Sequence, residues 1–145
     1  LAKAVAFKEA LSNDFKNYST NIISNSKLLA KIFHAGGLRV VSGGTDNHLM
    51  LLDLRNIKIN GSEAEEKLNS VGIVVNKNAI PFDPLPPNIT SGIRVGTPAI
   101  TTRRINEEDL STIGDLIIQT LKTPSHKLSA IKSKVSKIMQ KLPLP

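Results

Sequence analysis

The chain has 145 residues, 40% of them hydrophobic, enough for one domain with its own core, and 19 basic against 12 acidic residues leave a net charge of +7. It has no cysteine, which excludes disulfides, thiolate nucleophiles and zinc–thiolate sites, and with 3% aromatic residues and no Trp its core has to be built from Ile, Leu, Val and Ala. No apolar run reaches the length of a signal or a membrane span, so a soluble, cytoplasmic protein without a membrane partner is expected.

Residues 1–11 already read as helix, with no capping residue ahead of them. Ser12-Asn13-Asp14 offers a cap or turn, and a second helix follows with Phe15, Tyr18, Ile22, Ser26 or Leu29, and Phe33 on its apolar side, stopping at Gly36-Gly37. Leu38–Val41 reads as a strand, Ser42-Gly43-Gly44-Thr45-Asp46-Asn47 as a tight turn, and His48–Leu54 as a central strand too apolar to have a wet face. The two strands are expected to pair as an antiparallel hairpin.

Asn60-Gly61-Ser62 precedes Glu63-Ala64-Glu65-Glu66-Lys67-Leu68, a helix start with acids where the helix dipole favours them, ending at Val71-Gly72. A short strand is expected over Ile73–Val75. From Asn76 to Thr90 runs a long irregular segment with Pro81, Pro84, Pro86 and Pro87, and ordered loops of that length are often functional. A strand around Arg94 comes next, then a helix capped by Asn106 with a stripe of Leu110, Ile113, Gly114, Ile117, Ile118 and Leu121.

The last helix, Ser125 to Leu142, interleaves Lys127, Lys132, Lys134, Lys137 and Lys141 with Leu128, Ile131, Val135, Ile138 and Leu142. That pattern is a wet face on an amphipathic helix rather than a phosphate-binding stripe, and no aromatic platform for base stacking accompanies it, so nucleic acid is not the expected partner. The fold class is α/β in the sense of an α+β small domain: a small, mainly antiparallel sheet flanked by helices, residues 1–145 forming one unit.

Three segments concentrate chemistry. Ser91-Gly92-Ile93-Arg94-Val95-Gly96 sets one arginine among apolar and small residues, where its fork of donors calls for a planar anion, a carboxylate above all. Gly92 and Gly96 would let a small ligand or another backbone come close. Asn76 and Asn78 lie two apart, so in extended chain both amides point one way and Lys77 the other; such a pair could read the edge of a heterocycle or simply bond loop backbone. His48, at the head of an apolar strand with no second ligand at metal spacing, reads as a hydrogen-bonded structural histidine, and no metal site is expected.

Taken together and in this order, the blocks Lys3–Leu11, Val41–Leu49, Val75–Asn78 and Ser91–Ala99 resemble the C-terminal part of serine hydroxymethyltransferase, a fold-type-I enzyme that uses pyridoxal 5'-phosphate. The resemblance spans nearly the whole chain. It implies that Arg94 binds the α-carboxylate of serine or glycine and that Asn78 hydrogen-bonds the pterin ring of tetrahydrofolate. Pro86-Pro87-Asn88 falls where the family usually has Ser-Pro-Phe lining the folate site, so Pro87 is retained while Pro86 and Asn88 depart from the pattern.

The resemblance further implies a transferase of one-carbon metabolism, a homodimer at full length, that interconverts serine plus tetrahydrofolate with glycine plus 5,10-methylenetetrahydrofolate. The family's cofactor-linking lysine, with its Thr-rich tract and Gly-rich loop, has no counterpart among these residues, so the fragment alone is expected to be inactive and to contain no catalytic residue. Residues 1–11 would then be the end of a helix continuing from the large domain of the same polypeptide. Two alternatives stand beside this reading. The small domain of another pyridoxal phosphate enzyme would keep the arginine without needing Asn78, and a basic non-enzymatic module would bind nucleic acid through the last helix.

Overall fold

The computed structural model describes residues 1–142 and 144. Helix α1 (Ala2–Ala10) buries none of its side chains. Ser12 then caps α2 (Asn13–Ala35), its Oγ accepting from the N–H of Phe15, and the helix presents Ile22, Ser26, Leu29, Ala30 and Phe33 to the core. It stops where expected, with Gly37 at φ 77°. Gly36 is held for a second reason: a Cβ there would run into the side chain of Ile118.

The sheet has the order β1-β2-β4-β3, every neighbouring pair antiparallel. Strands β2 (Leu49–Asp53) and β4 (Gly92–Gly96) are its centre, with β1 (Arg39–Val40) and β3 (Asn76–Asn78) as short edges. The expected β1–β2 hairpin is present, shorter at both strands than the apolar runs suggested, because Val41–Gly43 turns as a 3-10 segment with Ser42 and Gly43 at positive φ.

The expected strand over Ile73–Val75 is absent. Those residues complete the turn after α3 (Gly61–Ser70), where Ile73 N–H donates to Leu68 C=O, and the ladder to β4 is made three residues later by Asn76–Asn78. Val75 is buried all the same, which is why its apolarity mimicked a strand. A short helix the spacing did not reveal, α4 (Pro98–Thr102), follows β4 with Pro98 in its first turn.

Alternation along β2 and β4 sends Met50, Leu52, Ile93 and Val95 to one face, where they join Phe33, Leu68 and Leu110 in the core. Helix α5 (Glu107–Lys122), capped by Asn106, buries every residue of its expected stripe there. Helix α6 (Ser129–Lys141) packs on α5 through Ile131, Val135 and Ile138 and leaves its lysines exposed, as the wet-face reading requires. Three polar ties fix the layers: Lys67 Nζ donates to Leu121 C=O at 2.9 Å, Lys77 pairs with Glu65 at 3.2 Å, and the Arg103 guanidinium donates to the carbonyls of Met139 and Leu142.

Candidate functional site

The other face of the sheet carries the residues singled out in the sequence. Leu49, Leu51, Asn76, Asn78 and Arg94 lie on it, exposed or half-buried. Arg94 is opposite Leu51 on one side and Asn76 on the other, and Asn78 is opposite Gly92. Asn78 is thus the diagonal neighbour of Arg94 on the same face, about 7–8 Å away between side-chain origins.

Arg94 is exposed, which corrects the expectation of a guanidinium desolvated among apolar neighbours. The reason is the two-residue period: Ile93 and Val95 go to the core and Arg94 to the opposite side. No hydrogen bond or ion pair holds its fork among the described residues. The two glycines flanking it differ. A Cβ at Gly92 would meet Leu52 O at 2.6 Å and Asn78 O at 3.0 Å, so it is backbone, not ligand, that approaches there. At Gly96 the nearest atom to such a Cβ is His48 O at 3.5 Å, an ordinary contact that leaves the position open.

The paired amides share a face as the extended-chain spacing implies, and one of them bonds loop backbone. Asn76 and Asn78 do point one way, and Lys77 points the other, its N–H and Nζ both donating to Glu65. Asn78 Nδ2 donates to Ala79 C=O at 2.7 Å, while its Oδ1 accepts no bond among the described residues. His48 is exposed and its imidazole has no hydrogen bond among those residues; its carbonyl, not its ring, is structural, accepting from Thr97 N–H at 3.0 Å.

The loop from Ala79 to Ser91 is ordered by a residue the sequence reading passed over. Asp83 Oδ2 accepts from Ile80 N–H at 3.1 Å and Ser91 N–H at 2.8 Å, and Oδ1 accepts from Leu85 N–H at 2.9 Å and the Ser91 hydroxyl at 2.6 Å. Asp83-Pro84 is a turn-initiating pair and would have been the signal. Pro86, Pro87 and Asn88 are exposed at the crest of the loop, and Pro86 C=O accepts from Ile89 and Thr90 N–H.

Charge is concentrated at the same end of the sheet. Arg55 donates to buried Asp53 at 2.8 and 3.0 Å, with Arg39 at 3.3 Å on the other side. The Arg55 hydrogen bonds hold the Asp53 carboxyl below the usual range against the opposing effect of burial. Burial also pushes the Asp83 carboxyl up, but its four donors, the Ser91 hydroxyl first, bring it well below that range. Lys77 N–H lowers Glu65 in the same way.

Carboxyls that are more acidic folded than unfolded leave the unfolded state holding more protons, so they stabilise the fold above about pH 5 and that contribution fades as the pH falls below about 4. The urea midpoint is therefore expected to drop between pH 5 and pH 3, and Asp83→Asn to flatten the drop. Equal slopes for the two chains would show that the Asp83 hydrogen bonds carry no such coupling.

Two wide clefts, of about 800 and 810 Å³, flank α2, and the first borders the site face through Leu49 and Leu51. One runs between α2 and the 41–47 turn beside Lys27, Lys31 and Gly43-Gly44-Thr45; the other is between α2 and α4 beside Asn21, Asn25 and Arg104. Neither is lined by Arg94, Asn78, Pro87 or Asn88. Those residues stand instead on an open surface, where a ligand would be held from one side only. Among the described residues no helix is long and apolar enough to cross a membrane, and no three His, Cys, Asp or Glu side chains gather as a metal site.

The family model described as serine hydroxymethyltransferase matches residues 1–117. The chain is 51% identical over 143 residues to the serine hydroxymethyltransferase of Coprothermobacter proteolyticus and 54% identical over 144 residues to that of Myxococcus xanthus. Each alignment covers 98% of this chain and 34% of the relative, so the chain spans about a third of the length of the curated proteins it matches. A family match over most of the chain and identity above one half leave one assignment: the chain belongs to the serine hydroxymethyltransferase family.

Proposed function

We propose that this chain is the C-terminal part of an enzyme that transfers the hydroxymethyl carbon of serine to tetrahydrofolate, giving glycine and 5,10-methylenetetrahydrofolate. Its open sheet face would be the wall that holds both substrates. The observation that carries this reading is the strand register, which makes Arg94 and Asn78 diagonal neighbours on one face, the guanidinium and the Asn78 carbonyl both without a hydrogen-bond partner among the described residues. Arg94 receives the carboxylate of serine or glycine as two parallel charge-assisted hydrogen bonds, which fix the direction of the amino acid as well as its place. Asn78 Oδ1 accepts from the pterin ring of the folate, with Pro86, Pro87 and Asn88 along its flank.

What these residues do for the reaction is orient. Holding two reactants in register can lower a barrier by roughly 7 kcal/mol at the favourable end, without proton transfer by the holding groups. The rest of the polypeptide would close over the face and exclude water from it.

Pyridoxal phosphate, as the electron sink of the reaction, is assigned to the whole enzyme and not to these residues. The one buried lysine among them, Lys67, has its ammonium engaged by Leu121 C=O at 2.9 Å, so it does not fit the cofactor-linking role. In the whole protein, glycine formation from serine should require tetrahydrofolate, and Asn78→Ala should raise the folate KM about tenfold while leaving the serine KM in place. Carbon transfer to folate that is absent from the unaltered protein would refute the assignment.

A further inference from the structure

We propose that Asp83 is the positioning residue of the folate wall: its carboxylate cinches the loop from Ile80 to Ser91 and so fixes the crest that carries Pro86, Pro87 and Asn88. The inference rests on the folate reading above and adds a residue that touches no substrate.

The loop is short of other means of order. Pro81, Phe82, Pro84 and Pro86–Asn88 are exposed, and Phe82 is fully so, at 101%. Between buried Ile80 at one foot and half-buried Ile89 at the other, hydrophobic burial therefore does little for the crest. Its backbone is also held away from relaxed geometry: Phe82 sits at φ 56° and buried Thr90 at φ 59°, a region that β-branched residues rarely enter. Such conformations persist only where the surroundings over-determine them.

Two fastenings do so. At the far end, Thr90 C=O accepts from Gly61 N–H, Ile89 C=O from Ser62 N–H, and Thr90 Oγ1 donates to Gly92 C=O. These bonds set the start of α3 against the loop, and they require glycine at 61, where a Cβ would collide with Thr90 Oγ1 and Gly92 O. Within the loop the backbone makes only local turns, Ile80 C=O accepting from Asp83 N–H and Pro86 C=O from Ile89 and Thr90 N–H, and the side chain that ties these turns together is Asp83. It joins residues 80, 85 and 91, both feet and the rise of the crest, through four acceptor contacts.

Four donors converge on two oxygens, which makes the requirement specific. A carboxylate accepts at every lone pair. An asparagine of the same size must aim an NH2 group at one of two donor pairs, either Ile80 N–H with Ser91 N–H or Leu85 N–H with the Ser91 hydroxyl. Facing Leu85 and Ser91 the amide nitrogen can still donate to the Ser91 hydroxyl once that turns, so the change breaks at least the Leu85 bond and opposes donor to donor there, with almost no change in volume. Nothing comparable reaches Arg94, whose strand is held on both sides by β2 and β3. The loop should loosen while the serine side keeps its place.

The test uses the whole protein with Asp83→Asn and, as a milder change that keeps three of the four bonds, Ser91→Ala. Asp83→Asn is expected to raise the tetrahydrofolate KM about tenfold and Ser91→Ala about threefold, with the serine KM within twofold of the unaltered protein. Hydrogen exchange at the amides of Ile80, Leu85 and Ser91 should quicken in the same order. A general loss of folding would instead raise both KM values or lower the amount of active protein, and would overturn the proposal. So would faster exchange with an unchanged folate KM, which would make the cinch irrelevant to folate. If the unaltered protein transfers carbon to folate and Asp83→Asn leaves its KM alone, only this inference falls; if the unaltered protein does not use folate, the functional reading falls and takes this one with it.

Discussion

If Arg94 holds the substrate carboxylate as proposed, replacing it with alanine in the whole protein is expected to lower kcat/KM for serine about a thousandfold while leaving the thermal midpoint unchanged. The size follows from what is removed: two charge-assisted hydrogen bonds to a substrate carboxylate, together about 4 kcal/mol, or roughly three powers of ten. The selectivity follows from the structure. Arg94 is exposed on the sheet face with no hydrogen bond or ion pair among the described residues, so its truncation breaks none of these and opens no cavity in the core. An unchanged thermal midpoint would separate a loss of activity there from a loss of fold. Arg94→Lys keeps the charge but not the planar fork, and should recover about tenfold of the thousand. Serine turnover within threefold of the unaltered enzyme for Arg94→Ala would remove the carboxylate role.

The same residue shows what the sequence makes legible and what it hides. That Arg94 is available for an anion could be read from the residues around it, but the stated reason, desolvation, was not the operative one. Its strand alternates, and alternation sends an arginine between Ile93 and Val95 out to the open face. The helices were readable because their signals are local: the Asn106 side chain accepting from Asp109 N–H, the stripe on α5, the lysines on α6. Strand β3 was misplaced because Ile73–Val75 looks like a strand by composition, whereas the ladder depends on where β4 offers partners. Asp83 was missed for a related reason. Its four donors come from residues 80, 85 and 91, and only the folded loop brings them to one carboxylate. The cross-strand diagonal that joins Arg94 to Asn78 is likewise a fact of register, invisible to a motif read along the chain.

Register also makes the two glycines beside Arg94 unequal, and alanine at each should show it. A Cβ at Gly92 would lie 2.6 Å from Leu52 O, 2.7 Å from Ile80 Cγ2 and 3.0 Å from Asn78 O. Two of those three atoms are backbone of the neighbouring strands, which cannot move without opening the ladder. Gly92 has no positive φ, so the cost is steric and not conformational. Gly92→Ala is expected to destabilise the fold by about 3 kcal/mol, read as a lower urea midpoint, and to weaken folate use because β3 and Asn78 must give way. Gly96→Ala has room, with no atom nearer than 3.5 Å, and should leave the midpoint within about 0.5 kcal/mol. Yet Gly96 lies on the same face as Arg94, two residues along β4, where a methyl group would reach into the space above the arginine. A Gly96→Ala protein that folds normally but uses serine poorly would separate the ligand's need for space from the sheet's. A Gly92→Ala protein as stable as the original would show that β2 and β3 do not close on β4 as tightly as the register implies.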